Sequence, residues 1–178
     1  MKTLPIVLSP DPVLRTVCEP CEVGDKSLKK LGKQMIDTMY ANSGCGLAAP
    51  QVGITKRIIV IDCSDPDADP ELMFLVNPEI VELSGEMVKE NEGCLSLPGI
   101  SVPIKRHETA KVRYFDLDGA ECVVESDGLL GRCLQHEIDH LNGITLFESC
   151  SPIDRIKALH DYRVAQESGA KPGDVAVG

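Results

Sequence analysis

The order of elements in this 178-residue chain predicts an α+β fold. A helical pattern comes first, several strand patterns follow, and a later helix carries the sequence His136-Glu137-Ile138-Asp139-His140. A run of strands next to segregated helices favours antiparallel or mixed β-sheets over a parallel sheet wound with helices. We therefore expect such sheets to pack around a central HExxH helix, with an N-terminal helix and a C-terminal helix beside them.

The first third of the chain predicts a short turn, one long helix and an irregular stretch. Pro12 suits the first position of a short helical turn over residues 11–18. Apolar residues at helical spacing predict a helix from 25 to about 42, with Gly44 as its left-handed cap. Residues 46–53 (GLAAPQVG) are small and turn-forming, so we expect no regular element there.

The middle of the chain predicts strands. Residues 57–63 (RIIVIDC) form the β-branched run typical of a buried strand, and the acidic, proline-containing stretch 64–70 predicts a mobile loop. Asp118-Gly119 lies between two further strand patterns and indicates a hairpin. The strands expected after the loop are residues 74–76, 80–88, 110–117 and 120–126.

The last third predicts two helices and a tail. We expect the HExxH helix to start after Ser126 or Asp127, which can cap it, and to end before Gly143. A final helix is expected over residues 152–167. The remaining stretch, 169–178, has the small and polar composition of a disordered tail.

Composition and charge limit the function. Hydrophobic residues make up 43% and charged residues 26%, as in ordinary globular domains. The net charge of −10 disfavours a nucleic-acid footprint and adhesion to an anionic membrane. The opening apolar run is too short and proline-broken for a signal peptide, and no stretch is long enough for a membrane span. We therefore expect a cytoplasmic protein, without membrane association or sequence-specific nucleic-acid binding.

The eight cysteines do not predict a disulfide framework. A reducing cytosol favours buried thiols or metal ligands instead. Cys18 and Cys21 form a CxxC, but no second pair follows at zinc-finger spacing, so we interpret them as incidental thiols.

The HExxH sequence predicts a metal site. His136 and His140 lie four residues apart, close to one helical turn, so both imidazoles leave the same face of the helix. Glu137 can then act as general base on water at that metal. A catalytic site of this kind needs a third protein ligand and one open position.

The candidates for the third ligand are the other two histidines, the cysteines and the many carboxylates. His107 and His160 stand among charged neighbours, where solvated surface histidines explain them adequately. Cys94 lies between glycine and proline residues in EGCLSLPG, which favours a defined extended backbone. From the residues alone, Cys94 remains either a buried thiol or a ligand.

Three segments together resemble a known family, the peptide deformylases. The family patterns GxGxAAxQ, EGCLS and (Q)HExxH are matched in the same order by GCGLAAPQ at residues 44–51, EGCLS at 92–96 and QHEIDH at 135–140. The resemblance spans nearly the whole chain. It implies one metallohydrolase domain over residues 1–168 that removes the formyl group from the N-terminal formyl-methionine of new polypeptides and releases formate.

The resemblance also implies roles for individual residues. Cys94, His136 and His140 would bind one divalent metal ion, natively Fe²⁺ with Zn²⁺, Ni²⁺ or Co²⁺ as alternatives, and water would fill the fourth place. Glu137 would accept a proton from that water and pass it to the leaving amine. The Gln51 side-chain amide and the Leu95 backbone N–H would stabilise the developing oxyanion.

A methionine pocket is also implied by the resemblance. It would include Cys45, Gly46, Leu129 and Cys133, with the main chain at Gly46 and Gly99 pairing with the peptide. For Leu129 and Cys133, ordinary core packing is the alternative. Two positions depart from the family: Arg132 stands where an aliphatic residue is common, and Ser101 where some members carry arginine.

The expected partners are N-formyl-methionyl peptides of nascent chains. Arg155, Lys157 and Arg163 in the last helix could favour a transient ribosome contact, although the net charge of −10 counts against it.

Three alternatives remain open. A zincin-type protease would need a downstream ligand, and Glu148 is awkwardly close to His140. A closed structural metal site, with Cys18 and Cys21 as further ligands, would have no use for Glu137 or for the oxyanion donors. A family member without activity is the third alternative.

Overall fold

A five-stranded antiparallel sheet forms the centre of the structure, a computed structural model that describes residues 2–174. The strands follow one another in sequence order and pair with their neighbours: β1 (Gly46–Ala48), β2 (Ile58–Ile61), β3 (Met73–Glu92), β4 (Val102–Phe115) and β5 (Glu121–Ser126). The helices are α1 (Ser27–Ala41), α2 (Gly128–Leu141), α3 (Leu146–Ser149) and α4 (Pro152–Glu167). Turns of 3₁₀-helix cover Pro12–Arg15 and Ala49–Val52. The predicted α+β class is confirmed.

Both faces of the sheet are covered at β2. Ile59 and Ile61 point to one face, where they pack with Leu134 and Ile138 of α2. The alternate residues of β2 point to the other face and pack in a second cluster with α1. The HExxH helix therefore lies against the sheet, as predicted, and Leu134 to Ile138 are all buried.

A third apolar cluster joins the start of β4 to the C-terminal helices. Ile104 of β4 packs there with Leu97, Phe147 of α3 and Tyr162 of α4. The Tyr162 hydroxyl donates to the Ser9 carbonyl at 2.7 Å, which ties α4 to the N-terminal segment. None of the helices among residues 2–174 combines the length and hydropathy needed to cross a bilayer.

The long β3–β4 hairpin differs from the predicted strand pieces. The pieces at 74–76 and 80–88 belong to one strand, because a register shift after Val76 absorbs Asn77-Pro78 without ending the pairing. Asn77 takes a positive φ of 49° and its side chain bonds to Cys21. Strand β4 begins at Val102 rather than 110, and its charged residues concealed the pattern. The hairpin at Asp118-Gly119 is present.

Two local predictions in the N-terminal half are wrong. The left-handed residue after α1 is Ser43 (φ 57°) and not Gly44, whose N–H instead returns to the Met39 carbonyl at 3.0 Å. The stretch 46–53, expected to be irregular, contains β1 and a 3₁₀ turn. Pairing with β2 holds Gly46–Ala48 as a strand despite its small residues.

The C-terminal half follows the predicted boundaries more closely. Helix α2 starts after Asp127, whose side chain makes no capping bond, and Gly143 (φ 72°) follows its end. Helix α4 covers the expected range, and α3, which was not predicted, is capped by Thr145. Residues 169–174 of the expected disordered tail follow a defined path, because the Gly99 N–H donates to the Asp174 carbonyl at 3.2 Å. Residues 175–178 lie outside the described chain.

Candidate metal centre and active-site cavity

The three motif segments converge on one cavity of about 480 Å³. Its wall is formed by the segment at 43–51, the segment at 90–95 that leaves β3, and the face of α2 that carries Leu129, Cys133 and His136. Ile100, Ser101 and the chain at 173–174 complete the rim. Segments far apart in sequence thus meet because α2 crosses the sheet beside β1 and the end of β3.

Cys94 and His136 line this cavity, and His140 comes together with them from the next turn of α2. One ligand atom from each lies within 4.8 Å of the other two. The Cys94 Sγ is 3.4 Å from His140 Nε2, and the two imidazole centroids are 5.1 Å apart on successive turns of α2. In tetrahedral coordination, bonds of about 2.3 Å to sulfur and 2.0–2.1 Å to nitrogen place such atoms about 3.5 Å apart. The trio therefore has the dimensions of a metal-ligand set.

The electrostatics of the two histidines also fit a cation site. Burial, together with the positive charges of His136 and Arg106, holds the pKa of His140 well below its usual range, so its ring is neutral. Burial lowers the pKa of His136 as well, but its interactions with Cys94 and Glu92 outweigh burial and raise the pKa overall. A proton on His136 and a metal ion would compete for the same place.

Glu92 orients the first histidine. Its Oε1 is 2.8 Å from His136 Nδ1 and accepts that N–H, which leaves Nε2 free to face Cys94 and His140. Burial would raise the pKa of Glu92, but hydrogen bonds from His136 and Arg106 lower it to about 2, so the carboxylate stays ionised. A carboxylate that accepts the other ring N–H of a ligating histidine fixes the tautomer of that histidine and raises its basicity.

Two arginines support Glu92. Arg106 Nε donates to Glu92 Oε2 at 2.7 Å, and Arg106 Nη1 donates to Asp139 Oδ2 at 2.9 Å. Arg132 donates to Glu92 as well and to the carbonyls of Val88 and Ile104. Sequence reasoning missed this network. Two residues within the motifs could have indicated it: Glu92, which begins EGCLS, and Asp139, the fourth residue of HEIDH.

Glu137 is placed for proton transfer. It is 4% exposed, its Oε1 is 4.0 Å from His136 Nε2, and its Oε2 has no hydrogen-bond partner in the described chain. Burial raises the pKa of Glu137 to about 7. A Cβ at Gly46 would lie 2.8 Å from Glu137 Oε1 and 2.8 Å from Cys133 Sγ. Only glycine lets β1 approach the carboxylate this closely.

The two predicted oxyanion donors flank the trio. Gln51 is buried, and its Oε1 accepts the Ala48 N–H at 3.0 Å. That bond turns Gln51 Nε2 toward Cys94 Sγ (3.4 Å) and Ser96 Oγ (3.2 Å). Leu95 follows Cys94 in a turn closed by the bond from the Leu97 N–H to the Cys94 carbonyl, and it lines the cavity.

Four of the five predicted pocket residues line the cavity: Cys45, Gly46, Leu129 and Cys133. Leu129 is 58% exposed, so core packing does not explain it, whereas Cys133 is buried and also belongs to the core between α2 and the sheet. Gly99 lies in the adjoining cavity, which shares Ile100, Ser101 and Asp174 with this one. Its N–H donates to the Asp174 carbonyl at 3.2 Å, and pairing of its main chain with a peptide stays a prediction.

The other ligands considered from the sequence lie outside the group formed by Cys94, His136 and His140. Among the described residues, two groups of His, Cys, Asp or Glu side chains have metal-binding dimensions: Cys94 with His136 and His140, and Cys45 with Cys63 and Cys133. Neither includes His107, His160, Cys18 or Cys21. Glu148 pairs with Arg15 at 3.6 Å and accepts the Thr145 hydroxyl, which argues against a protease that uses Glu148 as a ligand.

Comparison with known proteins agrees with this geometry. The model of the family "Polypeptide deformylase" matches residues 3–156. The peptide deformylase of Thermodesulfovibrio yellowstonii is 48% identical over 155 residues, covering 87% of this chain and 93% of that protein. The structure of a peptide deformylase from Legionella pneumophila superposes with a TM-score of 0.86 at 38% identity, covering 94% of this chain and 97% of that one.

A ligand-bound relative is also similar. The peptide deformylase from Ehrlichia chaffeensis in complex with actinonin has a TM-score of 0.85 and 42% identity, with 94% of this chain and 98% of that chain covered. Since the family model matches well over half of the sequence and the relatives are covered almost completely, the chain belongs to the peptide deformylase family.

Proposed function

We propose that Cys94, His136 and His140 hold one divalent metal ion, with which this chain removes the formyl group from N-formyl-methionyl peptides. Deformylation is the activity of the family to which the chain belongs, and that family is metal-dependent. One observation supports the residue assignment. The Cys94 thiol, although distant in sequence, lies close to the imidazoles of His136 and His140. The buried Glu137 carboxylate beside them has one oxygen without a hydrogen-bond partner in the described chain. We propose further that residues 1–168 form the single catalytic domain.

The donor set fits a borderline-soft cation. One thiol and two imidazoles suit Fe²⁺, Zn²⁺, Co²⁺ or Ni²⁺, and we propose Fe²⁺ as the native ion, as the family resemblance implies. When bound, such an ion supplies Lewis-acid polarisation of a carbonyl and lowers the pKa of water from 15.7 toward about 7.

Glu137 moves the proton. Its carboxylate takes a proton from the attacking water as the new C–O bond forms at the formyl carbon. It then gives that proton to the peptide nitrogen as the C–N bond breaks, so the products are formate and a free amine. The raised pKa of Glu137, about 7, suits a group that must first accept and then donate near neutral pH.

Gln51 and Leu95 stabilise the oxyanion. As water adds, negative charge develops on the formyl oxygen, and the Gln51 Nε2–H and Leu95 N–H donate to it. Because Gln51 is already held by Ala48, its amide needs no reorganisation at that moment. Removal of one such donor costs about 100–1,000-fold in turnover.

Substrate selection follows from the cavity walls. Formyl is the smallest acyl group, so close packing at the Gln51 and Gly46 side can exclude larger acyl groups. The methionine side chain would lie against Leu129, Cys133, Gly46 and Cys45. The Arg132 guanidinium does not leave an unpaired charge in this slot. It donates hydrogen bonds to the Glu92 carboxylate and to the carbonyls of Val88 and Ile104.

We propose a cytoplasmic location and a transient ribosome contact, with nascent chains as the source of substrate. Two of the three basic residues of α4 are already engaged within the chain, Arg155 with the Phe147 carbonyl and Lys157 with Asp161. The basic residue that would carry such a contact is therefore Arg163.

The proposal is tested by anaerobic purification, elemental analysis and a formate assay with formyl-Met-Ala. The expected result is formate release with one equivalent of metal, and loss of both in Cys94→Ala. Cys122→Ala, a thiol on β5 that is absent from both groups of metal-binding dimensions, is the control and should change neither. A Cys94→Ala protein that retains full metal content would contradict the ligand assignment.

A further inference from the structure

A second group of three thiols lies beside the proposed metal centre, and the proposed reaction uses none of them as a ligand of that centre or as a proton carrier. The Sγ atoms of Cys45, Cys63 and Cys133 all lie within 4.8 Å of one another. They come from three different elements: Cys45 just before β1, Cys63 just after β2, and Cys133 on α2, one turn before His136. None of the eight cysteines is in a disulfide.

Backbone pairing brings these thiols together. The β1–β2 ladder pairs Gly46 with Ile61, and the Asp62 N–H donates to the Cys45 carbonyl at 2.9 Å, one step beyond it. This extension holds Cys45 and Cys63 on adjacent strand ends. Cys133 reaches them from α2 because Gly46 has no side chain, since a Cβ there would be 2.8 Å from its sulfur.

We infer that Cys45, Cys63 and Cys133 form a second metal site, a three-thiolate site for a thiophilic ion such as Zn²⁺, in the wall of the proposed methionine pocket. Zn–S bonds of about 2.3 Å put sulfur atoms about 3.8 Å apart in tetrahedral geometry. Sulfurs that already lie within 4.8 Å of one another need only small side-chain shifts to reach that spacing. On binding, each thiol loses its proton to solvent.

The site has an entry path and an open fourth position. Cys45 is exposed and Cys63 partly exposed, while Cys133 is buried at the back. An ion can therefore enter along the cavity and keep solvent as its fourth ligand, as three-ligand zinc sites do. The ligands are soft sulfurs alone, so the site should prefer Zn²⁺ to Fe²⁺, in contrast to the mixed sulfur and nitrogen set of the proposed centre.

Occupation of the thiol site should inhibit the enzyme, a consequence that rests on the proposed function. Two of its ligands, Cys45 and Cys133, line the cavity, and Cys133 Sγ and Glu137 Oε1 lie near the same point beside Gly46. A cation there would narrow the slot for the methionine side chain. Zinc beyond one equivalent should therefore raise KM and depress formate release.

The test compares Cys63→Ser with the matched control Cys122→Ser under a reductant that keeps all thiols free. Cys63 lies outside the proposed catalytic and substrate residues, so basal formate release at one equivalent of metal should be unchanged. After loading with excess Zn²⁺ and gel filtration, elemental analysis should find two equivalents in the unmodified protein and in Cys122→Ser, and one in Cys63→Ser. Two equivalents in Cys63→Ser, or one in the unmodified protein, would overturn the inference.

Cobalt gives an independent readout. In the fully Co²⁺-loaded protein, four thiolates contribute to the sulfur-to-cobalt charge-transfer absorption, three at the thiol site and one at Cys94. Cys63→Ser should reduce that band to about one quarter, because the intensity scales with the number of bound thiolates. A band unchanged by the substitution would contradict the second site.

Alkylation of the unmodified protein avoids any variant that fails to fold. Cys45 should react with iodoacetamide in protein holding one equivalent of Zn²⁺ and be protected at least tenfold by a second equivalent. Unchanged Cys45 labelling would refute the site. If labelling is protected but formate release is absent at every metal ratio, the thiol site stands and the proposed deformylation fails.

Discussion

At the scale of single residues, Glu92 connects the metal-facing side of α2 to the sheet. One of its oxygens accepts the His136 Nδ1–H, and both receive hydrogen bonds from arginines. Its buried charge is balanced by Arg106 and Arg132, so the group is held ionised in a water-poor place. His136 therefore presents a fixed Nε2 toward the site.

We expect Glu92→Gln to weaken metal binding. A neutral amide cannot balance two buried arginines and is a weaker acceptor for His136, so the loss should be about 10–100-fold in metal affinity or activity. Glu90→Gln is the control, since the Glu90 side chain is 63% exposed and its one ion pair within residues 2–174 is with Arg132, at 3.3 Å. Metal dissociation constants measured by competition check this. Equal affinities for the two variants would contradict the role assigned to Glu92.

Gly46 is the second residue whose role is local and testable. Gly46→Ala would place a methyl group 2.8 Å from both Cys133 Sγ and Glu137 Oε1, closer than atoms can pack. We expect β1 or the carboxylate to shift and formate release to fall at least tenfold, while one equivalent of metal is retained. Gly24→Ala is the control: nothing lies within 4 Å there, and its φ of 80° makes alanine cost stability without obstructing the cavity. A fully active Gly46→Ala would show that β1 is not this close.

At the scale of elements, the connection between β2 and β3 is anchored by Asp62. Its Oδ1 accepts the Ser64 N–H at 3.0 Å and the Glu71 N–H at 3.3 Å, and its Oδ2 accepts the Tyr40 hydroxyl. The loop predicted to be mobile thus has a fixed entry and exit. Its mobility stays a prediction.

Asp62 should give the β2–β3 connection a pH-dependent stability. Hydrogen bonds from Ser64 and Tyr40 lower the pKa of Asp62 to about 2, below its unfolded value near 3.9. The group therefore contributes stability above about pH 4, and this contribution is lost as the pH falls from about 4 toward 2.

The midpoints of urea-induced unfolding at pH 7 and pH 3 check this expectation. The midpoint should fall less between these pH values for Asp62→Asn than for the unmodified protein. Asp67→Asn, a change in the same loop at an exposed residue, should behave like the unmodified protein. An equal fall in all three proteins would show that Asp62 is not the source.

The sequence predicted elements where local pattern alone decides the structure. Residues 58–61 formed a strand as expected because their β-branched run fits a doubly covered strand. The start of β4 was missed because Arg106, in that strand, points inward and is stabilised by Glu92, a partner 14 residues away. Gly44 is not the cap because Ser43 already takes the left-handed conformation. Glycine is needed at 44 for a different reason, since a Cβ there would be 2.8 Å from Leu95 Cδ1.

At the scale of the whole molecule, the proposed metal centre links segments that no local pattern joins. Cys94 follows β3, whereas His136 and His140 lie on α2. A bound ion would therefore hold the end of the sheet to the buried helix. Binding to the folded state alone must stabilise the protein by mass action.

Metal should therefore raise the thermal midpoint. At a free metal concentration of 100 times Kd, the stabilisation is about 2.7 kcal/mol, or roughly 5–10 °C for a domain of this size. Differential scanning calorimetry of metal-loaded and chelator-treated protein measures the shift. Cys94→Ala should show a much smaller shift and Cys122→Ala the full shift. The same large shift in Cys94→Ala would place the stabilising ion elsewhere.

Some contacts of the site could be predicted from the sequence and others could not. Nine of the eleven predicted site residues line one cavity, because the motifs preserve which segments meet. The Glu92–Arg106–Asp139 network and the group of Cys45, Cys63 and Cys133 were not predicted. Both depend on side chains from separate elements meeting in three dimensions, which spacing along the chain does not reveal.

The most direct measurement is the metal content and formate release of Glu137→Gln side by side. The amide has nearly the same shape as the carboxylate but cannot accept a proton. We expect one equivalent of metal, as in the unmodified protein, and a fall in turnover of about 100–10,000-fold. Formate release at the unmodified rate, with the metal in place, would contradict the role of Glu137 and with it the mechanism proposed for this site.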